Sequence, residues 1–172
     1  MDTSWNSINT WVAHFDILGF KDRINYDDQS LLLNVLKSSI DEVVKLLQND
    51  ISNFENTIDY TSYADTFIVY SKLAEVAEKS GYPDLLRTCK NFLSTCIYKR
   101  IPVRGAISYG ELVLGHNNKI VMGKAFLESH QYGEDQNWIG LLLTPSASDQ
   151  LQSMGLDPLR HGFINRDIPL RK

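Results

Sequence analysis

The order of strand-like and helical segments constrains the fold of this chain more than any other feature of its sequence. Short apolar runs typical of strands alternate with stretches in which apolar residues recur at helical spacing. We predict strands at residues 11–18, 56–62, 66–71, 101–114, 119–122 and 138–143. We predict helices at residues 29–48, 124–132 and 147–154, and a helical zone at residues 72–99 that is broken near residues 81–83. This order predicts an α+β sandwich with a ferredoxin-like βαββαβ core, in which helices cover one face of a mostly antiparallel sheet.

Length and charge limit the classes of protein to which the chain can belong. Its 172 residues fit one domain, residues 1–172, and we expect the tail at residues 155–172 to pack on it. The net charge of −4 and the lack of a basic block argue against binding to double-stranded nucleic acid. No apolar run reaches the roughly 18 residues that cross a bilayer, and residues 1–11 do not resemble a secretory signal. We therefore expect a cytoplasmic protein.

Asp16 is an acidic residue inside the apolar first strand, between Phe15 and Ile17. A carboxylate at such a position is unfavourable to bury unless it is paired or bound to a cation. Gly19 follows near the end of the strand, where a small turn rich in N–H groups can approach phosphate oxygens closely. Two interpretations of Asp16 alone stay open: a strand-end acid that accepts hydrogen bonds from the turn, or a metal ligand.

Asp65 lies at the tip of the predicted hairpin, where aspartate is a common turn former. In a ferredoxin-like order, the first strand and the strand after the hairpin turn are neighbours, so Asp16 and Asp65 are expected to lie side by side. Two carboxylates that close repel each other unless a divalent cation bridges them. Mg²⁺ and Mn²⁺ favour carboxylates together with substrate phosphates. The pair therefore predicts a two-metal site suited to in-line displacement at phosphorus.

Arg104 enters the apolar strand predicted at residues 101–114. An arginine in that setting is either an edge residue whose charged end reaches solvent or a functional cation. Its planar set of donors suits a phosphate or a base carbonyl. Gly105 and Gly110 lie within the same segment, and glycine permits close approach of the backbone to another group.

Four segments in this order resemble the motifs of class III adenylate and guanylate cyclases. Phe-Asp-Ile-Leu-Gly-Phe at residues 15–20 resembles their first metal motif, and Asp65 resembles their second metal aspartate. Residues 104–110 resemble their glycine-rich strand, and residues 123–140 resemble the helix and strand that complete the domain. Within the superfamily, the chain most resembles the pyrimidine cyclases of Pycsar anti-phage systems, in Phe-Asp-Ile-Leu-Gly-Phe-Lys, in Arg-Gly-Ala-Ile-x-Tyr-Gly and in the ending Ile-Pro-Leu-Arg-Lys.

The resemblance implies a homodimeric lyase that converts UTP into 3′,5′-cyclic UMP and pyrophosphate with two Mn²⁺ or Mg²⁺ ions per site. It implies active sites at the dimer interface and a separate effector that responds to the cyclic nucleotide in anti-phage defence. It further implies catalytic residues Asp16, Asp65 and Arg104, metal ligands Asp16, Ile17 and Asp65, and substrate-binding residues Phe15, Gly19, Phe20, Tyr60, Thr61 and Arg104.

The chain departs from the purine cyclases at the position that reads the base. Those enzymes carry lysine or glutamate four residues before the second aspartate, whereas this chain has Thr61, which speaks against ATP and GTP. Tyr60 and Arg104 are the candidates for selecting a pyrimidine, and Tyr63 is the alternative if the register shifts.

A second departure lies in the helix at residues 124–132. Class III cyclases carry an asparagine and an arginine there that stabilise the transition state, and this chain has Leu127 and Gln131. Either Arg104 or Lys124 takes that role, or catalysis is weak. Three alternatives therefore remain: a cytidylate cyclase, a catalytically degenerate module that binds a nucleotide or only dimerises, and a ferredoxin-like protein without a site. The sequence leaves the activating signal open.

Overall fold

Six strands form one sheet in the part of the chain that the computed structural model describes, which is residues 5–19, 41–42, 45, 48–49, 57–72, 81–115 and 120–170. The strands are β1 (Trp5–Ile17), β2 (Ile58–Tyr63), β3 (Thr66–Ser71), β4 (Val103–Gly115), β5 (Ile120–Met122) and β6 (Gly140–Leu143). The helices are α1 (Gly81–Tyr98), α2 (Lys124–Asp135) and α3 (Pro145–Ser153), followed by a short 3-10 helix at Pro158–His161.

The strand order confirms the predicted fold class. The strands lie in the order β2-β3-β1-β4-β5, and β6 pairs with β4. Every pairing is antiparallel except that between β4 and β6. The run β2-β3-β1-β4 is the ferredoxin-like arrangement, in which the first strand lies between two strands that come later in the chain.

Central strand β1 is buried on both faces over its second half. The side chains of Trp11, Ala13 and Phe15 belong to one apolar cluster. Val12 belongs to a second cluster, and His14, which alternates with Phe15 along the strand, is also buried. Because successive side chains of a strand point to opposite faces, a strand covered on both sides is apolar almost without interruption. This explains the compact apolar run that marks β1 in the sequence.

Helix α1 covers one face of the sheet with a stripe of buried side chains. Its buried residues include Leu85, Leu86, Cys89, Phe92 and Cys96. The Phe92 ring lies 4.8 Å from the Phe15 ring and 5.0 Å from the Phe67 ring, measured between centroids. Helix α3 joins the same cluster through Ala147 and Leu151, and its N-cap is Thr144.

Helix α2 packs against the other face of β1 and β4, formed by the side chains that alternate with those under α1. The hydroxyl of Ser108 donates to the carbonyl oxygen of Ala125 at 2.6 Å, and Ala125 shares the second cluster with Val12. A Cβ atom at Gly133 would lie 3.2 Å from the His14 ring nitrogen, which shows how closely the helix approaches β1. The expectation of helices on one face therefore holds for α1 and α3, and α2 crosses the other face.

Several element boundaries differ from the predicted ones, and two cases stand out. Strand β1 begins at Trp5 rather than at residue 11, because β4 is equally long and pairs with it from Trp5, opposite Gly115, to Ile17. The helix predicted at residues 29–48 falls outside the described residues apart from helical residues at 41–42, 45 and 48–49. The tail contacts the domain, since the Asn137 N–H donates to the Pro169 carbonyl at 2.7 Å.

In the part of the chain that the structure describes, every helix is too short or too polar to cross a membrane.

We expect Phe92→Ala to lower the free energy of unfolding by about 3–5 kcal/mol, because it leaves a cavity between the Phe15 and Phe67 rings. Ile97→Ala on the same helix is the matched control, since Ile97 is 57% exposed and its loss is expected to change stability by only about 0.5 kcal/mol. Urea unfolding followed by circular dichroism measures both. Equal effects of the two variants would contradict the assigned packing of α1.

Candidate functional site

Asp16 and Asp65 meet where β1 ends beside the turn between β2 and β3. Asp16 pairs with Thr66 of β3 on one side and with Arg104 of β4 on the other. The Ile17 N–H donates to the Asp65 carbonyl oxygen at 3.1 Å, which ties the turn to the end of β1. The structure therefore brings the two aspartates to the same end of the sheet, as expected from the order of elements.

The turn that carries Asp65 has a strained backbone. Ala64 has a φ of 54°, in the left-handed region that residues with a Cβ atom rarely adopt. A two-residue hairpin turn needs such a conformation to match the twist of its strands. Strain of this kind persists where the surrounding structure fixes the chain, and it is concentrated at functional sites. Asp65 follows directly, and its side chain is partly buried.

Asp16 forms a buried ion pair with Arg104. Nε and Nη2 of Arg104 donate to Oδ2 of Asp16 at 3.0 and 2.8 Å. The Arg104 side chain is 2% exposed and that of Asp16 is 15% exposed. The two residues face each other across β1 and β4, so the pairing register itself sets this contact. A buried charge needs such a partner, because an unpaired one is strongly destabilising.

The remaining contacts of Arg104 are with the end of α2. Its Nη1 donates to the carbonyl oxygens of Glu134 and Gln136, at 2.6 and 3.1 Å. The last carbonyls of a helix lack partners within the helix and attract a cation. The interpretation of Arg104 as an edge residue reaching solvent is therefore wrong, because its side chain is buried and its donors are bound to protein groups.

Gln136 extends this network and was not identified from the sequence. It is fully buried, and its Nε2 donates to the carbonyl oxygen of Gly105 at 2.8 Å. Its Oε1 accepts a hydrogen bond from the indole nitrogen of Trp138. In the sequence, Gln136 lies in a polar stretch between Glu134 and Trp138 that resembles a surface loop, so no pattern marks it.

The charge of Asp16 is set by opposing influences. Burial raises the pKa of the Asp16 carboxyl, and the hydrogen bonds and charge of Arg104 act in the opposite direction. The carboxylates of Asp65 and Glu134 raise that pKa further. A cation placed between Asp16 and Asp65 would relieve both the burial of charge and the repulsion between the carboxylates.

The residues at this end of the sheet fit a divalent cation. Mg²⁺ and Mn²⁺ are usually held by one or two carboxylates with the remaining positions left for water and substrate phosphates. Asp16 and Asp65 supply the carboxylates, and Ile17, whose side chain is buried and apolar, has only its main-chain carbonyl oxygen to offer. Among the described residues, no group of three or more histidine, cysteine, aspartate or glutamate side chains is placed to hold a metal by itself.

The other residues assigned to substrate binding are spread over both faces of the sheet. The Phe15 side chain is fully buried against Phe92, in the core and away from Asp16. Gly19 is exposed with a φ of 70° at the turn after β1, and a Cβ atom there would meet nothing within 4 Å. Phe20 lies outside the described residues.

The two base-reading candidates of β2 point in opposite directions. Tyr60 packs against the α1 side of the core, and its hydroxyl accepts a hydrogen bond from Gln48 at 3.0 Å. Thr61 and the alternative Tyr63 alternate with it and face the same side as Asp16, since Tyr63 pairs with Thr66 and Thr66 with Asp16. Tyr63 is 85% exposed, so its ring is available to a ligand.

Packing within the sheet explains why position 105 is a glycine, without the involvement of a ligand. A Cβ atom at this position would lie 2.4 Å from the His14 carbonyl oxygen and 2.7 Å from the Phe15 ring. The close approach inferred for Gly105 from the sequence is therefore an approach to β1 and its phenyl ring.

His14 lies on the same face as Asp16, below α2. Its ring stacks on that of His130 with centroids 4.8 Å apart. Burial lowers the pKa of His14 to about 3, and the charges of His130 and Arg104 contribute to the lowering. His14 is therefore neutral at physiological pH and adds no positive charge beside Asp16.

The positions of α2 at which the chain departs from the class III pattern, Leu127 and Gln131, lie on the outer surface of the helix, as does Lys124. Leu127 is 62% exposed, and Gln131 and Lys124 are also exposed. The side chains of Lys124 and Gln131 form no hydrogen bond or ion pair with the other residues that the structure describes.

Solved structures of class III cyclases share this fold. The adenylyl cyclase CyaB from P. aeruginosa is similar with a TM-score of 0.68 and 13% identity, over 87% of this chain and 83% of that one. The guanylate cyclase domain of RhGC from Catenaria anguillulae in complex with GTP gives 0.63 and 10%, over 86% and 84%. A class III adenylyl cyclase-like ATP-binding protein from Pseudomonas aeruginosa gives 0.67 and 11%, over 89% of this chain and 36% of that one.

No protein-family model matches the sequence, and no curated protein matches it. The structural similarity, at these low identities, establishes that the chain has the fold of a class III nucleotide cyclase domain.

We expect Arg104→Gln to lower the free energy of unfolding by about 3–5 kcal/mol at neutral pH, because it leaves the Asp16 carboxylate buried without its cation. The variant loses the influence that lowers the pKa of Asp16, so that pKa rises further. A raised pKa in the folded state favours folding at low pH and disfavours it as pH rises. The difference in the free energy of unfolding between the original chain and the variant should therefore shrink as pH falls.

Urea unfolding between about pH 7 and about pH 4 measures this dependence. Arg160→Gln is the control, because Arg160 is 87% exposed and contacts Asp157 only at 4.0 Å. A deficit that is independent of pH would contradict the pairing of Arg104 with an ionised Asp16.

Proposed function

We propose that the chain is a nucleotide cyclase, a phosphorus–oxygen lyase that closes a nucleoside triphosphate into a 3′,5′-cyclic monophosphate and releases pyrophosphate. The observation that carries the proposal is the juxtaposition of Asp16 and Asp65 at the end of β1, on the fold of class III cyclase domains. Both aspartates come from the segments that resemble the metal motifs of those enzymes.

The residues of the site divide the work between holding and orienting. Asp16 and Asp65, with the Ile17 carbonyl oxygen, would hold two Mn²⁺ or Mg²⁺ ions. Such ions supply charge stabilisation for the attacking 3′-hydroxyl and the leaving pyrophosphate oxygens. Arg104 fixes the Asp16 carboxylate through two hydrogen bonds, and the strained turn at Ala64 presents Asp65 beside it. A carboxylate held in one orientation is pre-organised for binding, which lowers the entropy lost when the substrate arrives.

We propose a pyrimidine nucleotide as substrate, with UTP ahead of CTP. Thr61 lies on the Asp16 face, where its hydroxyl cannot make the contacts expected of a lysine or a glutamate that reads a purine. For contact with the base, we favour Tyr63 over Tyr60, because the Tyr63 ring is exposed on that face, whereas the Tyr60 hydroxyl is hydrogen-bonded to Gln48. The resemblance to Pycsar enzymes further supports a cytoplasmic role in anti-phage defence, with cyclic UMP acting on a separate effector.

We also propose a homodimer with its active sites at the interface. The outer surface of α2 carries Leu127, an apolar side chain that is 62% exposed, between the exposed Lys124 and Gln131. A second subunit there would bring its side chains near the exposed positions 124, 127 and 131 of α2. These side chains would supply the transition-state groups that one chain lacks.

A catalytically degenerate nucleotide-binding module is the second candidate. Leu127 and Gln131 stand where class III cyclases carry transition-state residues, and Arg104 is engaged by Asp16 and α2 in this structure. A class III cyclase-like ATP-binding protein shares the fold. This candidate predicts nucleotide binding without a cyclic product.

The test is to incubate the purified chain with ATP, GTP, CTP or UTP and Mn²⁺ and to identify the products by mass. We expect cyclic UMP, and we expect Asp65→Asn to lower its formation by at least about 100-fold, because several kcal/mol of charge stabilisation are lost. Asp65 is a better choice than Asp16 for this variant, since Asp16→Asn would also leave Arg104 without its ion pair.

Asp149→Asn, which removes an exposed carboxylate in α3, is the matched control and should retain full activity. Cyclic CMP would identify the cytidylate alternative, and a cyclic purine would contradict the proposed base preference. Mn²⁺-dependent nucleotide binding without any cyclic product would favour the degenerate module. The absence of both binding and product would contradict both candidates.

A further inference from the structure

A cavity of about 520 Å³ lies on the other side of β6 from β4, away from Asp16 and Asp65. Its walls come from β6, from α3 and from the tail between residues 158 and 168. Apolar side chains dominate the lining, among them Trp138, Leu142, Leu159, Phe163 and Ile164. Ligand cavities in proteins usually have volumes of roughly 300–1,000 Å³, mostly apolar walls and few polar groups.

Several apolar side chains of this lining are left in contact with water. Ile164 is 71% exposed and Leu159 is 60% exposed, although both line a concave surface. Single exposed apolar residues are common, whereas a group of them around a cavity is typical of a binding site.

The polar groups of the lining are Ser148, Asn165 and Arg166. Arg166 makes no ion pair or hydrogen bond with any other residue that the structure describes. By comparison, Arg104 is fully engaged with Asp16 and α2. An unengaged guanidinium beside apolar walls favours a ligand that combines an apolar body with one anionic group, because carboxylates and sulfonates accept charge-assisted hydrogen bonds.

The walls are fixed by contacts that do not depend on a ligand. The Trp138 ring packs against Gly140, where a Cβ atom would lie 2.9 Å from the indole. Its indole nitrogen donates to the buried side chain of Gln136. The end of the tail is held beside Trp138, where Leu170 pairs with Gln136 and the Asn137 N–H donates to the Pro169 carbonyl. The cavity is therefore formed in advance, which reduces the ordering that binding requires.

We propose that this cavity binds a small organic anion with an apolar or aromatic body, the body lying against Trp138 and Leu142 and the anionic group at Arg166. The ligand is a free small molecule, since the cavity is bounded on three sides by β6, α3 and the tail. This inference does not depend on the proposed cyclase activity.

The probe for the test is 8-anilinonaphthalene-1-sulfonate, which has an aromatic body and one sulfonate and fluoresces when it leaves water. We expect saturable binding to one site per chain and displacement by decanoate but not by decan-1-ol, which lacks the charge. Arg166→Gln should weaken binding of the probe by about 10-fold, the value of one hydrogen bond to a charged group. Ser148→Trp, which places a large ring in the cavity, should abolish it.

Arg160→Gln is the matched control, because Arg160 is an exposed arginine of the same tail that does not line the cavity. Each variant is first shown to unfold cooperatively in urea, since the probe also binds partly folded chains. Energy transfer from tryptophan to the bound probe, reduced in Trp138→Phe, gives a second readout at this wall.

Three results would overturn the proposal. One is equal weakening by Arg160→Gln and Arg166→Gln, and another is unchanged binding in the folded Ser148→Trp variant. The third is probe binding that disappears as the protein concentration rises, which would show that a second copy of the chain covers the cavity.

Discussion

The buried ion pair between Asp16 and Arg104 is the contact on which the arrangement of the site depends. It joins the end of β1 to the start of β4, and through Nη1 of Arg104 it also holds the end of α2. Three elements that are distant in the sequence are thereby fixed at one point. A guanidinium suits this task because its planar donors serve several acceptors at once, which an ammonium group does with less geometric definition.

The two faces of β1 serve different purposes. One face carries Phe15 and its alternating neighbours into the apolar core under α1 and α3, where burial stabilises the fold. The other face carries His14 and Asp16 below α2, where polar groups are paired or neutral. Because the strand is rigid and central, the apolar face fixes where Asp16 lies. Phe15, which stabilises the core, and Asp16, which belongs to the candidate site, are therefore adjacent residues of one strand.

The proximity of Asp16 and Asp65 could be predicted from the sequence, because the order of elements alone makes β1 and β3 neighbours. The orientation of Tyr60 could not. Strand β2 ends at Tyr63, one residue later than the sequence pattern predicts, and a shift of one residue moves a side chain to the other face. The contacts of Arg104 could not be predicted from the sequence either. They depend on where α2 ends in space and on Gln136, which no sequence pattern identifies.

The position of β1 at the centre of the sheet has a consequence for the order in which the molecule assembles. Both of its partners follow it in the chain, and the hydrogen bond between Arg104 and Asp16 spans 88 residues. Pairings of such long range form slowly, because the entropy of closing a large loop is lost before the contact is made. During synthesis, β1 leaves the ribosome before β3 and β4, so these two strands cannot yet cover its apolar side chains. The end of the sheet that carries Asp16 is complete only once β4 has paired, and a chain that stops before β4 lacks Arg104, the partner of the Asp16 carboxylate.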